Sequence, residues 1–185
     1  PDTIKTIGFD TIMQYLNGQK GWVDGVCVSG GEPTLHSSLP LVLAALKEKN
    51  FLTKLDTNGS NPEVLQSLLS EGLVDYVAMD IKASLNEKSY CKITQASDML
   101  ASVKKSIRII IDSGIEHEFR CTVLPSYHNP DEIVAIAREL NGAHRLRIQN
   151  FRPDHTLDPD LKSHQPFTEE AINQLQQRVN DIICM

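Results

Sequence analysis

The chain has 185 residues, 41% of them hydrophobic, with 18 basic and 24 acidic side chains and a net charge of −6. This size suits one domain over residues 1–185 with a real hydrophobic core, and the acidic balance argues against broad nucleic-acid binding, which needs a basic footprint. No run reaches the roughly 20 apolar residues of a membrane span, and no secretory signal is visible, so a cytoplasmic protein with reduced thiols is expected.

A helical pattern over Phe9–Gly18 comes before the first strand-like run, Gly25–Ser29. Apolar residues at helical spacing then mark Leu39–Lys49, and a strand pattern follows at Thr53–Thr57. Asn61 before Pro62 reads as an N-cap with proline at the first helical position, opening a helix to Glu71. Val74–Asp80 reads as the third strand and Ala96–Ser113 as the next helix, stopped at Gly114. Glu118–Leu124 is the fourth strand. Asn129-Pro130 repeats the capped start for a helix to Leu140, and Asn141-Gly142 stops it. Arg145–Phe151 is the fifth strand. Arg152–Pro166, with three prolines, reads as a surface loop before a last helix ending about Ile183.

Strand–helix alternation of this kind implies a parallel sheet with right-handed crossovers, either doubly wound or part of a barrel. Because a helix leads the first strand, a preceding strand is expected to be missing. Cys27, Cys91, Cys121 and Cys184 are scattered, without the close spacing of zinc or iron–sulfur ligands. Cys27 and Cys121 lie in apolar runs and are expected in the core. His117, His128, His144, His155 and His164 fall beside turns or in loops with no metal spacing, and are expected to be mostly structural or on the surface. His36 lies near the first strand's end.

The informative residues gather at one place. "SGGEPTL" follows the first strand with Gly30, Gly31 and Glu32. "LDTNG" ends the second with Asp56 and Thr57, and "VAMDIK" ends the third with Asp80 and Lys82. "EFRCTV" puts Arg120 in the fourth strand, and "RIQNF" puts Gln149 and Asn150 near the end of the fifth. Sites of parallel α/β folds form at the carboxyl ends of strands. Paired glycines give positive φ and close approach by a ligand. A mid-strand arginine needs a partner, either an anionic ligand or a carboxylate. Asp56 and Asp80 end consecutive strands, so a positive group is expected between them, either Lys82 or a small cation.

These motifs, in this order, resemble the radical S-adenosylmethionine (SAM) superfamily, and within it the activating enzymes of glycyl-radical enzymes. "YVAMDIKA" and "QNFRPDHTLDP" look most like the anaerobic ribonucleotide reductase activating protein and are close to the pyruvate formate-lyase activating enzyme. The resemblance implies an α/β fold, a partial (β/α)6 TIM-like barrel, with SAM across the carboxyl ends of its parallel strands. It places Gly30, Gly31 and Glu32 at the SAM amino group. Asp56, Thr57, Asp80 and Lys82 fall near the SAM carboxylate, with a monovalent cation at Asp56 and Asp80. Arg120 falls near ribose and carboxylate, and Gln149 near the nucleoside. It implies a glycyl-radical enzyme as protein substrate and flavodoxin or ferredoxin as electron donor.

One part of the family pattern is absent. The CxxxCxxC motif that binds the [4Fe–4S] cluster does not occur here. The expectation is therefore a fragment without its first strand and cluster loop, binding no cluster by itself. Two other readings stand beside it. One is a barrel aldolase or lyase in which Lys82 forms a Schiff base and Asp80 shuttles protons. The other is a non-catalytic module that binds a nucleotide or a partner.

Overall fold

The fold is that of a computed structural model, which describes residues 6–94, 99–156 and 158–184. Five parallel strands form one sheet: β1 (Gly25–Val28), β2 (Leu52–Thr57), β3 (Tyr76–Asp80), β4 (Glu116–Val123) and β5 (Leu146–Asn150). Their order in the sheet is their order in the chain, β1-β2-β3-β4-β5. A doubly wound sheet reverses direction at a switch point and carries helices on both faces. Here there is no reversal, and the strands progress as in a barrel wall. β1 and β5 are the two edges, so the wall is open.

The side-chain pattern shows why one face only is covered. In β2, Thr53, Leu55 and Thr57 are buried, while Leu52, Lys54 and Asp56 are not. In β4, Phe119, Cys121 and Val123 are fully buried, while Arg120 and Thr122 are not. With a period of two, one set faces the helices and the other the opposite, open side of the sheet. Helices α2 (Leu39–Glu48), α3 (Pro62–Ser70), α5 (Met99–Ser113), α6 (Pro130–Glu139) and α7 (Glu169–Ile183) cover the apolar face. Leu43, Leu65, Val103, Ile107, Ile133, Ile136 and Val179 meet Leu55, Val77, Met79, Phe119 and Val123 in one core. Helix α1 (Phe9–Gly18) packs Leu16 with Leu46 and Phe51 in a smaller cluster beside β1.

Strand and helix positions agree with the sequence reading to within a few residues, and four details differ. Helix α4 (Glu87–Thr94) was not expected. Its apolar residues are few, and its burial rests on Tyr90, which is inserted into the core. The helix expected from Ala96 is described from Met99, residues 96–98 lying outside the described segments. The loop after β5 contains two short 3-10 turns, Pro153–His155 and Pro159–Ser163. Asn61 stands at the N-cap of α3, where its carbonyl accepts from the Leu65 N–H but its side chain makes no capping bond. Its amide reaches the Thr34 hydroxyl instead, at 2.9 Å. Asn129, by contrast, forms the full reciprocal capping box with Glu132.

Gly59, after β2, shows how tightly the carboxyl end is built. Its φ is +73°, and a Cβ there would stand 2.0 Å from Met79 Cε. Met79 is fully buried, so its thioether end would have to shift within the core. Gly59→Ala is therefore expected to cost about 2–4 kcal/mol, combining left-handed strain with overpacking. A urea midpoint close to that of the unaltered protein would show that this turn is not held as described.

Candidate functional site at the carboxyl rim

The loop after β1 supplies the first wall. Gly30 and Gly31 have φ of +99° and +53°. A Cβ on either would meet nothing within 4 Å, so the space beside this backbone is open. Glu32 then turns inward and is only 6% exposed. Its Oε1 accepts hydrogen bonds from the Thr34 hydroxyl at 2.6 Å, the Thr34 N–H at 3.2 Å and the Thr57 hydroxyl at 2.7 Å. Its Oε2 accepts from the Asn58 N–H at 2.6 Å. A carboxylate has about four acceptor sites over two oxygens. Oε1 is thus fully used, and Oε2 has room for one further donor. Glu32 caps its own 3-10 turn and joins the β1 loop to the end of β2. Thr34 had no place in the sequence reading. Its signal was available in Glu-Pro-Thr, where an acceptor stands before a proline at the first position of a helical turn.

The second part of the site lies on the open face of the sheet. Arg120 stands between the two aspartates. Its Nη1 donates to Asp56 Oδ2 at 2.8 Å and its Nε to Asp80 Oδ1 at 3.0 Å. Outside this trio, Lys54 pairs with Asp56 and Lys82 with Asp80, the latter at 3.1 Å. The result is a chain of alternating charge, Lys54–Asp56–Arg120–Asp80–Lys82, across three strands. The guanidinium fills the place where Lys82 or a small cation was expected. β-sheet register explains this. Asp80 lies directly beside Arg120, whereas Asp56 pairs with Ala78, one pleat lower, so the fork reaches both.

The titration behaviour follows from this packing. Burial acts to raise the Asp56 carboxyl, but hydrogen bonds from Lys54 and Arg120 outweigh it and hold it below the ordinary carboxylate range. Burial likewise opposes the charge of Arg120, and the two aspartates more than restore it. Lys82 has 45% of its side chain exposed and is ion-paired, unlike the desolvated lysines that form Schiff bases. Gln149 is on the open face, where it accepts from Thr122 at 3.3 Å. Asn150 turns to the helix side and holds the segment before α7 through two hydrogen bonds with Phe167.

The cysteines do not converge. Cys27 is exposed on the open face, where its thiol donates to Asp56 at 3.4 Å, and Cys121 is buried on the helix face. Cys27 thus departs from the expected core position, because β1 is an edge strand and this residue points away from the helices. Cys91 lies in α4 and Cys184 ends α7. Among the described residues no group of three His, Cys, Asp or Glu could hold a metal ion. Burial pushes the Cys121 thiol up to about 12, so it is inert at neutral pH. A disulfide exchange reagent should therefore label Cys27 and Cys184 within minutes and leave Cys121 unmodified until unfolding. Anaerobic treatment with iron and sulfide should give no stoichiometric cluster absorbance. One cluster per chain would show that these cysteines can be gathered.

An open parallel (β/α) wall with glycines and a charge network toward its carboxyl ends has the form of a partial barrel. Residues 9–140 match the sequence profile of the Radical SAM superfamily, and the chain belongs to that superfamily. It is 32% identical over 160 residues to a protein of Methanocaldococcus jannaschii named as a candidate glycyl-radical enzyme activating enzyme, covering 83% of this chain and 65% of that one. It is 27% identical over 132 residues to 7-carboxy-7-deazaguanine synthase of Neisseria meningitidis, covering 71% of this chain and 58% of the relative. The chain thus spans about three fifths of the length of these curated relatives. A solved domain of a pyruvate-formate lyase-activating enzyme from Bacteroides vulgatus shares the fold. Its TM-score is 0.66 at 20% identity, covering 85% of this chain and 94% of that one.

Superfamily membership implies SAM and a [4Fe–4S] cluster. The rim suits SAM, with open space beside two positive-φ glycines, one unused acceptor position on Glu32, and the cations Arg120 and Lys82. The four cysteines do not suit the cluster. No helix among the described residues is long and apolar enough to cross a membrane.

Proposed function

We propose that this chain is the SAM-binding core of an activase whose full-length form installs a glycyl radical on a partner enzyme. The observation that carries this reading is the rim itself: open glycines at one end, the Asp56–Arg120–Asp80–Lys82 network at the other. The likeness to the candidate activating enzyme of M. jannaschii supports the choice of client class. Clients of the anaerobic ribonucleotide reductase or pyruvate formate-lyase type fit equally well.

In this reading the backbone of Gly30 and Gly31 would lie against the methionine part of SAM, and Glu32 Oε2 would accept one ammonium N–H. Lys82 and Arg120 would hold the SAM carboxylate. Asp56 and Asp80 hold those cations in place and need no monovalent ion between them. Thr57 fixes Glu32, and Gln149 stands toward the nucleoside. The cluster would be held by residues outside these 185. When bound and reduced by one electron from a donor such as flavodoxin or ferredoxin, SAM would supply methionine and a 5′-deoxyadenosyl radical by cleavage of its sulfonium S–C5′ bond. That radical would take a hydrogen atom from a glycine Cα, leaving 5′-deoxyadenosine and the glycyl radical. A reducing cytoplasm suits this chemistry.

The test is anaerobic turnover of the full-length protein with SAM, a reductant and a candidate partner enzyme. Methionine and 5′-deoxyadenosine should appear in equal amounts, with a glycine-centred radical in the partner's EPR spectrum. SAM cleavage with the radical spent on a small molecule would overturn the client class. A borohydride-trapped carbonyl adduct on Lys82 would overturn the SAM reading in favour of a lyase.

A further inference from the structure

Lys82 is the first residue beyond the strand ladder at the end of β3. The last ladder bond runs from the Ile81 N–H to the Arg120 carbonyl, at 2.7 Å. Past that point, among the described residues, the β3–β4 ladder does not continue. The Lys82 carbonyl is instead held by His128, whose Nε2 lies 2.9 Å from it. His128 sits in the turn between β4 and α6 and is buried. Its Nδ1 accepts the Leu124 N–H at 3.3 Å, and its own N–H donates to the Leu124 carbonyl at 2.8 Å. A backbone N–H can only donate, so Nδ1 carries no proton and Nε2–H is the donor to Lys82. The imidazole is thereby fixed in one tautomer, with one hydrogen bond to each side. Three residues further on, the Leu85 N–H donates to the Glu139 carboxylate at 2.7 Å, a second and separate fastening of the same loop.

We propose that His128 is a positioning residue for the SAM rim: a neutral imidazole strut that sets the backbone of Lys82, and through it the ammonium that pairs with Asp80. This rests on the reading of Lys82 as a SAM-carboxylate contact. It assigns work to a histidine that sequence position marks as an ordinary loop residue. The strut matters at this point because the Lys82 side chain is half-exposed and, among the described residues, ion-paired with Asp80 alone. A flexible ammonium on an unfastened backbone loses orientation before it loses charge.

Two substitutions separate the two sides of the ring. In His128→Gln the amide nitrogen takes the place of Nε2 and keeps the donor to Lys82, while the acceptor for Leu124 is lost. In His128→Asn the side chain reaches only the place of Nδ1, so Leu124 keeps its acceptor and Lys82 loses its donor. Each variant gives up one buried hydrogen bond, so their melting temperatures should fall by similar amounts. SAM affinity, measured by calorimetry on the full-length protein, should follow the donor. His128→Gln should stay within about threefold of the unaltered protein, and His128→Asn should weaken by roughly five- to tenfold. In a Lys82→Ala background, His128→Asn should add nothing further. Glu139→Ala, which loosens the loop beyond Lys82, should change SAM affinity by less than about twofold.

Equal SAM affinities for the Gln and Asn variants, with Lys82→Ala clearly weaker, would overturn the positioning role and leave the SAM rim standing. Multiplying losses in the double variant would also overturn it. A silent Lys82→Ala would instead overturn the assignment of Lys82 to SAM, and the role of His128 with it.

Discussion

Arg120→Met should destabilise the protein by about 2–3 kcal/mol at neutral pH. The variant leaves Asp56 and Asp80 facing one another with only the outer lysines for compensation. Breaking a fully buried ion pair costs on the order of 3–5 kcal/mol. The lower figure applies because Arg120, Asp56 and Asp80 keep 17%, 16% and 32% side-chain exposure, so water screens part of the repulsion. The pH dependence gives the stronger check. In the unaltered protein the Asp56 carboxyl lies below its ordinary value. Its contribution is therefore present above the unfolded value of about 4 and is lost as pH falls through the lowered folded value. Without the guanidinium that lowering weakens, and acidification relieves repulsion between the carboxylates. The stability gap between variant and parent should hold from pH 7 to about pH 5 and narrow as pH falls through about 4 and below. A gap that is constant with pH would mean Arg120 acts through packing rather than charge.

Glu32→Ala should affect both the fold and the ligand. Four donors then lose their acceptor: the Thr57 hydroxyl, the Thr34 hydroxyl, the Thr34 N–H and the Asn58 N–H. Orphaned buried donors cost about 1–3 kcal/mol each when water cannot reach them. Solvent will enter the cavity left by the carboxylate, so a total of about 2–4 kcal/mol is expected. SAM binding should weaken by a further amount on the order of 1.5–3 kcal/mol from loss of the contact at Oε2. Thr57→Val separates the two effects, since it removes one internal donor while leaving Oε2 in place. It should lower the melting temperature with a smaller change in SAM affinity. If Glu32→Ala melts early yet binds SAM normally per folded molecule, Glu32 is a structural residue only.

Much of this was legible in the sequence because the strands and helices carry unambiguous periodicity, with capping signals at Asn129 and glycine stops at Gly114 and Gly142. The rim was legible because parallel α/β folds collect polar residues at strand ends, which is where Gly30, Asp56 and Asp80 fall, with Arg120 inside β4 directly beside Asp80. What stayed hidden depended on register and on side-chain reach. Arg120 was seen to need a partner, but nothing in the sequence says that one fork spans two strands at different heights. Glu32 read as a ligand group, yet four internal donors occupy it, two of them supplied by Thr34, only two residues away. Helix α4 escaped because its short polar run is anchored by a single aromatic, Tyr90. His128 escaped because its two partners, Leu124 and the Lys82 carbonyl, belong to backbone that only the fold brings together.

If the rim delivers a SAM-derived radical to a glycine of another polypeptide, the transferred hydrogen atom can be followed. A partner enzyme is prepared with glycine dideuterated at Cα and treated anaerobically with the full-length protein, SAM and a reductant. The 5′-deoxyadenosine formed should carry one deuterium, in amounts equal to the glycyl radical. 5′-Deoxyadenosine without deuterium, alongside a partner that acquires no radical, would contradict that transfer.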